Sequence, residues 1–142
     1  MKKITAAVVL INAMGSILGC HGTGKPKDQG FDFPKGLVEE NETDIEAALR
    51  ELREETDITL CKDDLIDCGI HPHNKEKNIH IFLFKINEFP DVKYLKCKSY
   101  FELNGKNIPE VDYFEIIPRE ERHKFNKVLQ NKFELIDKAN EA

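Results

Sequence analysis

Hydrophobic residues along this chain follow a strand pattern in several short segments. Ile4 to Ile11 is almost entirely apolar and rich in β-branched residues, which is typical of a central strand buried on both faces. Ile17 to His21 predicts a second strand, paired with the first as a hairpin around the turn at 12–16. Leu65 to His71 and Asn78 to Ile86 predict two further strands around a polar turn. Shorter strands are expected at 31–34 and 111–117.

Two other segments have the periodicity of a helix. A helix is predicted from Thr43 or Asp44, either of which can cap it, to about Thr56. Its apolar face, expected to dock on the sheet, consists of Ile45, Ala48, Leu49, Leu52 and Thr56. From Arg119 onward, apolar residues predict a C-terminal amphipathic helix; they are Phe125, Val128, Leu129, Phe133 and Ile136. Residues 21–30, 34–43 and 87–109 are expected to be loops. The fold class is therefore predicted as α+β, a sheet covered by helices, in one domain spanning 1–142.

Charge is unevenly distributed in this sequence of 142 residues. The net charge is −5, yet the stretch from Gly36 to Ile58 alone holds nine acidic and two basic residues. We therefore expect a local acidic site on a nearly neutral body. No basic tract indicates binding to duplex nucleic acid, and no apolar run is long enough to span a membrane.

The N-terminus and the cysteines each allow a second interpretation. MKKITAAVVLINAMGSILGC imitates a secretory signal with a lipid-attachment cysteine, but polar and glycine residues interrupt its apolar run after eight residues, so the strand is favoured. The four cysteines are irregularly spaced and are predicted to be reduced, buried thiols of a cytoplasmic protein. A zinc site is the alternative, formed by Cys61, Cys68, His71 and His73, although the cysteine spacing is not that of a zinc finger.

Three glutamates of the predicted helix lie on a separate arc. Glu51, Glu54 and Glu55 stand at i, i+3 and i+4, one helical turn apart. One interpretation is an ordinary solvated face, on which Glu46 and Arg50 are also expected to pair. The other is a cradle for a hard divalent cation, because Mg²⁺ prefers oxygen ligands and often bridges to substrate phosphates.

The same stretch resembles the Nudix box, the signature of the Nudix hydrolase family. The defined positions of that signature are occupied here by Gly36, Glu42, Arg50, Glu51, Leu52, Glu54, Glu55 and Ile58. Asp57 departs from it, because the family has Gly at this place. We expect a left-handed backbone at Asp57, which Asp tolerates at little cost in stability, and no loss of activity.

The flanking sequence is similar to the family as well. FDFPKG, residues 31–36, resembles the W-x-x-P-K-G lead-in of the branch that acts on dinucleoside polyphosphates, with Phe31 where that branch often has Trp. IPEVDYFEIIPREE resembles the family's closing pattern of a Glu, an aromatic-rich strand and an acidic turn. The resemblance implies a Nudix-type α/β/α sandwich, with a mixed sheet between helices.

The resemblance also implies roles for individual residues. Glu51, Glu54, Glu55 and the carbonyl oxygen of Gly36 are expected to bind Mg²⁺ or Mn²⁺, while Arg50 and Glu42 pair and brace the loop. Glu110 is the first choice for a further catalytic carboxylate or metal ligand outside the box, and Glu102 is the second. Lys35 is a candidate to bind a substrate phosphate. Candidate base-stacking residues are Phe31, Phe33, Tyr100 and Phe101, of which at least two are expected in the core instead. The histidines are expected to be structural or at the surface.

The activity implied is that of a divalent-metal-dependent pyrophosphohydrolase. Its substrate would be a nucleoside diphosphate linked to another group, with diadenosine polyphosphates, ADP-ribose or FAD expected first. RNA 5′ ends and nucleoside triphosphates are alternatives, and a non-catalytic, nucleotide-sensing Nudix domain is an alternative of another class. The expected partner is a small nucleotide, and the expected assembly is a monomer or a homodimer.

Overall fold

A computed structural model describes residues 2–142. This part of the chain forms nine strands, two α-helices and four short 3-10 helices. The strands are β1 (Lys3–Ile11), β2 (Ile17–Gly22), β3 (Phe31–Asp32), β4 (Lys35–Leu37), β5 (Ile66–Pro72), β6 (Lys77–Lys85), β7 (Tyr100–Leu103), β8 (Lys106–Pro109) and β9 (Val111–Ile117). The helices are α1 (Asp44–Thr56) and α2 (Phe133–Glu141). Neither helix combines the length and the apolar composition that a membrane crossing needs.

Seven strands form one mixed sheet around β1. The order is β3-β2-β1-β6-β5, with β4 also paired to β1 and β9 also paired to β2. β1 and β6 are parallel along their whole length, from Lys3 opposite Lys77 to Ile11 opposite Lys85, whereas the other pairs in the sheet are antiparallel. β7 and β8 form a separate two-stranded hairpin.

The sheet has an apolar layer on each face, and β1 contributes to both. Ala6, Val8 and Leu10 pack with Ala47, Ala48 and Leu52 of α1 on one side. The alternate β1 residues pack with the C-terminal segment on the other side, in a cluster that includes Phe125, Leu129, Phe133 and Ile136. Because side chains alternate across a strand, an almost wholly apolar strand requires cover on both faces. The predicted central strand and the α/β/α sandwich are therefore confirmed.

Two details of the N-terminal strands were predicted wrongly. β1 and β2 pair only at their base, where Ile11 lies opposite Ile17, and β2 then continues along β9. Residues 35–37 were expected in a loop, but they form β4 and pair with Thr5, Ala6 and Ala7 of β1. β4, where the acidic stretch begins, thus pairs with the part of β1 that would have paired with β2 in a full hairpin.

Residues 100–109 were expected to be irregular, but they form the β7–β8 hairpin. Its turn consists of Asn104 and Gly105, with φ angles of 52° and 77°. Two successive residues with positive φ make the turn that suits the twist of a tight hairpin, and Asn-Gly is its strongest sequence signal. The prediction missed that signal because the flanking strands, YFEL and KNIP, carry no clear alternation and are mostly exposed.

The long C-terminal helix was also predicted wrongly. Residues 119–124 and 127–132 are 3-10 helices, and only 133–141 are α-helical. Between the two 3-10 segments the backbone is extended, and the Asn126 N–H donates to the Phe31 carbonyl at 2.7 Å. This bond to β3 interrupts the helix, although Phe125, Leu129, Phe133 and Ile136 still face the core.

Candidate active site

Helix α1 is capped at both ends by local interactions. The Thr43 side chain accepts from the Glu46 N–H, and the Glu46 side chain accepts from the Thr43 N–H, which is a complete capping box. Asp57 ends the helix with φ 67° and ψ 17°, so the predicted left-handed conformation is confirmed. Because Glu46 caps the helix, it does not form the pair with Arg50 that its spacing suggested; Arg50 contacts other acids.

The face of α1 that docks on the sheet includes two glutamates. Glu51 and Glu55 are 9% and 6% exposed, whereas Ile45 and Leu49, expected on that face, are only half-buried. Glu54 lies further out and is partly exposed. Burying a carboxyl without a cation costs folding free energy. Stability alone would therefore not favour docking the face of α1 that carries Glu51 and Glu55.

Glu51 and Glu55 form a coupled pair of carboxyls. Burial, reinforced by the hydrogen bond and charge of Glu51, raises the pKa of Glu55 to about 10. Burial also raises the pKa of Glu51, although hydrogen bonds from Glu55 and Arg50 oppose that rise. Two carboxyls that share a hydrogen bond in a poorly solvated place disfavour each other's ionisation, so burial and the neighbouring carboxyl together raise the pKa of Glu55. A cation placed between them would remove this penalty.

Arg50 organises the acidic groups around that pair. Its Nη2 lies 2.7 Å from Glu42 Oε1, and its Nε lies 3.1 Å from Glu42 Oε2, so the expected pair forms through two contacts. Its Nη1 lies 2.8 Å from Glu51 and 3.2 Å from Glu54. Its Nη2 also donates to the Leu37 carbonyl at 3.1 Å, so Arg50 ties α1 to β4.

Gly36 allows β4 to lie close to this helix. It pairs with Ala6 of β1, and a Cβ built on it would overlap the carboxyl group of Glu51. The φ angle of Gly36 is one that any residue can adopt, so the backbone conformation alone does not require a glycine here. It is needed because no side chain fits between the strand and the carboxylate.

Two adjoining cavities open beside the glutamates. The first, of about 380 Å³, is lined by residues of β4 and α1 and by Ser99 and Glu110. The second, of about 150 Å³, contains Cys20, Asp32, Lys35, Glu55 and Glu110 in its wall. Glu110 lines both cavities, and its N–H donates to the Ser99 carbonyl at 2.9 Å. Glu102 lies on β7, exposed, and lines neither of them.

Lys35 lies in the wall that both cavities share. Its Nζ is 2.7 Å from Asp32 Oδ2. Burial lowers the pKa of Lys35, but the ion pair with Asp32 outweighs that effect and raises it. Asp32 was not among the predicted site residues, although its spacing of three residues from Lys35 was visible. Cys20 was missed too, because the sequence singled it out only as the cysteine of a lipid-attachment pattern; burial, followed by the charge of Glu55, raises the pKa of its thiol.

Of the candidate stacking residues, two are in the core. Phe31 and Phe33 are 1% and 0% exposed, and Phe31 packs against the rings of His21 and Tyr113. Phe31 therefore cannot stack on a base in this structure, and its proposed role in binding is wrong. The expectation that at least two of the four would be core residues is confirmed. Tyr100 and Phe101 are exposed, at 56% and 40%, on β7.

The histidines with polar contacts hold parts of the fold together. His21 contacts Asp112 and the Pro26 carbonyl, and His80 lies between Asp44 and Asp67 at 2.7 Å from each. His71 contacts the Cys68 carbonyl.

Cys61 is exposed, and all four cysteines are free thiols, as predicted, although only Cys20 is fully buried. Among residues 2–142, Cys61, Cys68, His71 and His73 do not form a metal-binding group.

The chemistry of the acidic site fits a divalent cation. No three carboxylates in the described part of the chain are arranged as a finished metal site, and Glu51 and Glu54 contact Arg50 instead. Even so, Glu51, Glu54 and Glu55 supply oxygen ligands from one helical turn, and Gly36 leaves room beside them. A cation beside the buried Glu51 and Glu55 would compensate the charge of their carboxylates.

The family model of the NUDIX domain matches residues 1–118. The chain therefore belongs to the Nudix hydrolase family. No curated protein matches its sequence significantly.

Several solved structures share the fold at low identity. The Nudix domain of Shewanella oneidensis NrtR, complexed with ADP ribose, is 12% identical with a TM-score of 0.71; the match covers 98% of this chain and 88% of that one. A C. elegans Ap4A hydrolase is 21% identical with a TM-score of 0.66, and 96% of each chain is covered. A bifunctional NMN adenylyltransferase/ADP ribose pyrophosphatase of Francisella tularensis, complexed with AMP and Mn, is 16% identical with a TM-score of 0.70 over 99% of this chain. This chain spans only 42% of the length of the Francisella protein.

Proposed function

We propose that this protein is a divalent-metal-dependent pyrophosphohydrolase that cleaves a nucleoside diphosphate linked to another group. The observation that carries the proposal is the buried Glu51–Glu55 pair, which lies against a glycine and beside two polar cavities. Membership of the Nudix hydrolase family supports the reaction class. A solvated acidic face, the simpler interpretation, is disfavoured because two of the three glutamates are buried.

Each side chain of the site has a proposed role. Mg²⁺ or Mn²⁺, held by Glu51, Glu54, Glu55 and the Gly36 carbonyl, would neutralise phosphate charge and activate a water molecule. Arg50 and Glu42 hold the helix and the β4 loop together, so the three carboxyls keep their relative positions. Lys35, which lines both cavities together with the glutamates, donates to a phosphate oxygen. Glu110, which lines both cavities, accepts the proton of the attacking water or adds a further ligand.

The reaction is a hydrolysis of one phosphoric anhydride. Water adds to a phosphorus, the bond from that phosphorus to the bridging oxygen breaks, and the two products leave as phosphate esters. The positive groups of the site, including Lys35, stabilise the charge that develops on the phosphate oxygens.

Diadenosine polyphosphates are the first proposed substrates, followed by ADP-ribose and FAD. The FPKG lead-in supports the first group, and the fold is shared with proteins that are described as an Ap4A hydrolase and as bound to ADP ribose. The retained Glu51, Glu54 and Glu55 argue against a domain that only senses nucleotides, since a sensor has no need of buried catalytic carboxylates.

The decisive experiment is a substrate panel with Mg²⁺ or Mn²⁺ and identification of the products. Glu54→Gln and Glu55→Gln should each lower turnover by more than about 100-fold, because a lost carboxylate ligand misplaces the charge that stabilises the transition state. Glu134→Gln, at an exposed position of helix α2, is the matched control and should keep wild-type rates. Circular dichroism should show all three variants folded.

Two outcomes would count against the proposal. Wild-type rates for either box variant would make the assignment of ligands wrong. A wild-type protein that binds these nucleotides but hydrolyses none of them, with either metal, would support the sensing domain instead.

A further inference from the structure

A cavity of about 550 Å³ lies on the side of the sheet that the C-terminal segment covers. Its wall is built from the β2–β3 loop, the turn between β5 and β6, and the two 3-10 helices. The wall includes Gln29, His73, His123, Lys127 and Asn131. We call it the C-terminal cavity. It shares no lining residue with the two cavities beside the glutamates, so it is a separate place on the molecule.

The wall of the C-terminal cavity contains basic and amide groups but no carboxylate. Among residues 2–142, no carboxylate oxygen lies within 4.0 Å of the Lys127 ammonium group. His123 does approach one, since its Nε2 lies 3.6 Å from Asp28 Oδ1, but both of these side chains are mostly exposed and Asp28 does not line the cavity. The cavity therefore offers positive charge that the protein leaves unneutralised.

Lys132 places a further ammonium group directly behind this wall. The residue is only 3% exposed, and its Nζ donates to Asn131 Oδ1, which is a neutral acceptor. In the part of the chain that the structure describes, Lys132 has no carboxylate oxygen within 4.0 Å. Burial lowers the pKa of Lys132, as expected for an ammonium group without a counter-ion. Burying an unpaired charge costs free energy, and an anion bound beside Asn131 would offset that cost.

His73 contributes an unsatisfied ring nitrogen to the same place. Its Nδ1 is shielded from solvent and has no hydrogen-bond partner among the described residues. Burial lowers the pKa of His73, the charges of Lys35 and Lys132 lower it further, and the charge of Asp32 opposes them. Most buried polar atoms in proteins are hydrogen-bonded, so an unpartnered nitrogen in the wall of a cavity indicates a partner from outside the chain.

Gln29 reaches the C-terminal cavity from a strained backbone conformation. Its φ is 64°, in the left-handed region, which costs free energy for a residue with a Cβ. Asn and Asp tolerate this region because their short side chains bond locally, an advantage that Gln does not share. Strain of this kind persists where the surrounding structure requires it, often beside bound ligands. Its presence here supports a binding role for the wall that Gln29 belongs to.

We propose that the C-terminal cavity binds the phosphate group of a small organic phosphomonoester. The two ammonium groups, of Lys127 and Lys132, favour a phosphomonoester over a carboxylate, because it carries close to two negative charges at neutral pH. The amides of Gln29 and Asn131 and the nitrogen of His73 supply uncharged hydrogen-bond partners for its oxygens. The cavity has the size of small-molecule sites, so an organic group has room beside the phosphate. This site is independent of the proposed hydrolysis.

Binding can be measured without involving the candidate metal site. The probe is ribose 5-phosphate, titrated calorimetrically into the whole chain in EDTA, because without a divalent cation the carboxylates of Glu51 and Glu55 repel a phosphate. Ribose 5-phosphate should bind, ribose should not, and inorganic phosphate should bind more weakly than the ester. Equal affinity for inorganic phosphate would overturn the assignment to an ester.

Lys132→Met tests the buried ammonium group. It keeps an apolar stem and removes the charge, so the affinity for ribose 5-phosphate should fall at least about 10-fold, which corresponds to one charge-assisted hydrogen bond. Without ligand, the variant should unfold at a higher temperature than the wild type, because an uncompensated buried charge is gone. Saturating ribose 5-phosphate should raise the unfolding temperature of the wild type but not that of Lys132→Met.

Lys127→Gln is a second test that leaves the core untouched, since Lys127 is exposed, and it should also weaken binding about 10-fold. The matched control is Lys138→Met, at an exposed position of α2 where the lysine pairs with Glu134, and it should bind like the wild type. The proposal fails if the wild type does not bind ribose 5-phosphate at millimolar concentrations. It also fails if Lys132→Met or Lys127→Gln binds as tightly as the wild type, or if Lys138→Met loses as much affinity as they do.

Discussion

At the scale of single residues, Gly36 has the most direct link to the proposed chemistry. Gly36→Ala would place a methyl group where the Glu51 carboxyl lies, so the carboxyl must move. A displacement of about 1 Å at a reacting centre can cost about 100-fold in rate, and we expect a loss of that order. The measurement is steady-state turnover beside a thermal melt.

Gly105 provides the contrast for that experiment. It lies in the β7–β8 turn with φ 77°, and nothing lies within 4 Å of a Cβ built on it. Gly105→Ala should lower stability by about 1 kcal/mol through backbone strain and leave turnover unaltered. A Gly36→Ala protein with normal turnover would show that β4 does not need to approach the carboxyl closely.

Asp57 stands where the Nudix box has Gly, at the one defined position of the box that this chain does not match. Its left-handed backbone is the conformation that Gly adopts most easily, and its carboxylate contacts Lys98 at 2.7 Å. Asp57→Gly removes the steric cost and the ion pair together, so the two effects on stability oppose each other. We expect the same turnover in both proteins. Recovery of activity in Asp57→Gly from an inactive parent would contradict this.

At the scale of elements, α1 carries the site and its cap fixes where it begins. Thr43→Ala removes the side chain that accepts from Glu46 N–H, at a cost of about 1 kcal/mol in the free energy of unfolding. Thr59→Ala, an exposed threonine just after the helix, should change stability by less than about 0.5 kcal/mol. Urea denaturation compares the two. Equal effects would mean that the capping box contributes nothing measurable.

Which elements could be predicted depended on how local their causes are. The bounds of α1 followed from its cap and its apolar spacing, and β1 followed from an uninterrupted apolar run. β4 could not be predicted, because three residues without a pattern become a strand only when β1 is beside them. The break at Asn126 likewise comes from a bond to Phe31, far away in the sequence.

The same distinction between local and distant causes applies to the residues of the site. The arc of Glu51, Glu54 and Glu55 followed from helical spacing, and the place of Gly36 beside it was implied by the resemblance to the Nudix box. The burial of Glu51 and Glu55 did not follow from the spacing, because the periodicity placed them on an arc separate from the docking face. Of that predicted face, Ala48, Leu52 and Thr56 are buried, and the buried surface extends from them to Ala47 and the two glutamates.

At the scale of the whole molecule, Arg122 connects helix α2, through an ion pair, with the turn that follows β1. Arg122 contacts both Asp137 oxygens, at 2.7 and 2.8 Å, and donates to the Gly15 carbonyl. Its guanidinium also lies over the Phe133 ring at 4.8 Å. Helix α2 is thereby held against the turn that follows β1.

This ion pair predicts a defined pH dependence of stability. The hydrogen bond from Arg122 lowers the pKa of Asp137, so its contribution is complete above the unfolded pKa, about 3.9, and disappears as the pH falls through the lower folded value. Asp137→Asn should cost about 2 kcal/mol at pH 7 and progressively less below pH 4. Urea melts at pH 7, 5 and 3 test this. A deficit that stays constant across that range would exclude the charge as its cause.

The parallel pairing of β1 with β6 also affects how the protein is made. Because Lys3 pairs with Lys77, β1, the most apolar strand, emerges from the ribosome long before β6, its parallel neighbour, has been synthesised. At ordinary rates of translation the interval is on the order of several seconds. A nascent chain arrested before residue 77 would expose β1 as an apolar strand that is paired on one side only. Chaperones and proteases recognise such segments. Their release of the chain would coincide with synthesis of β6.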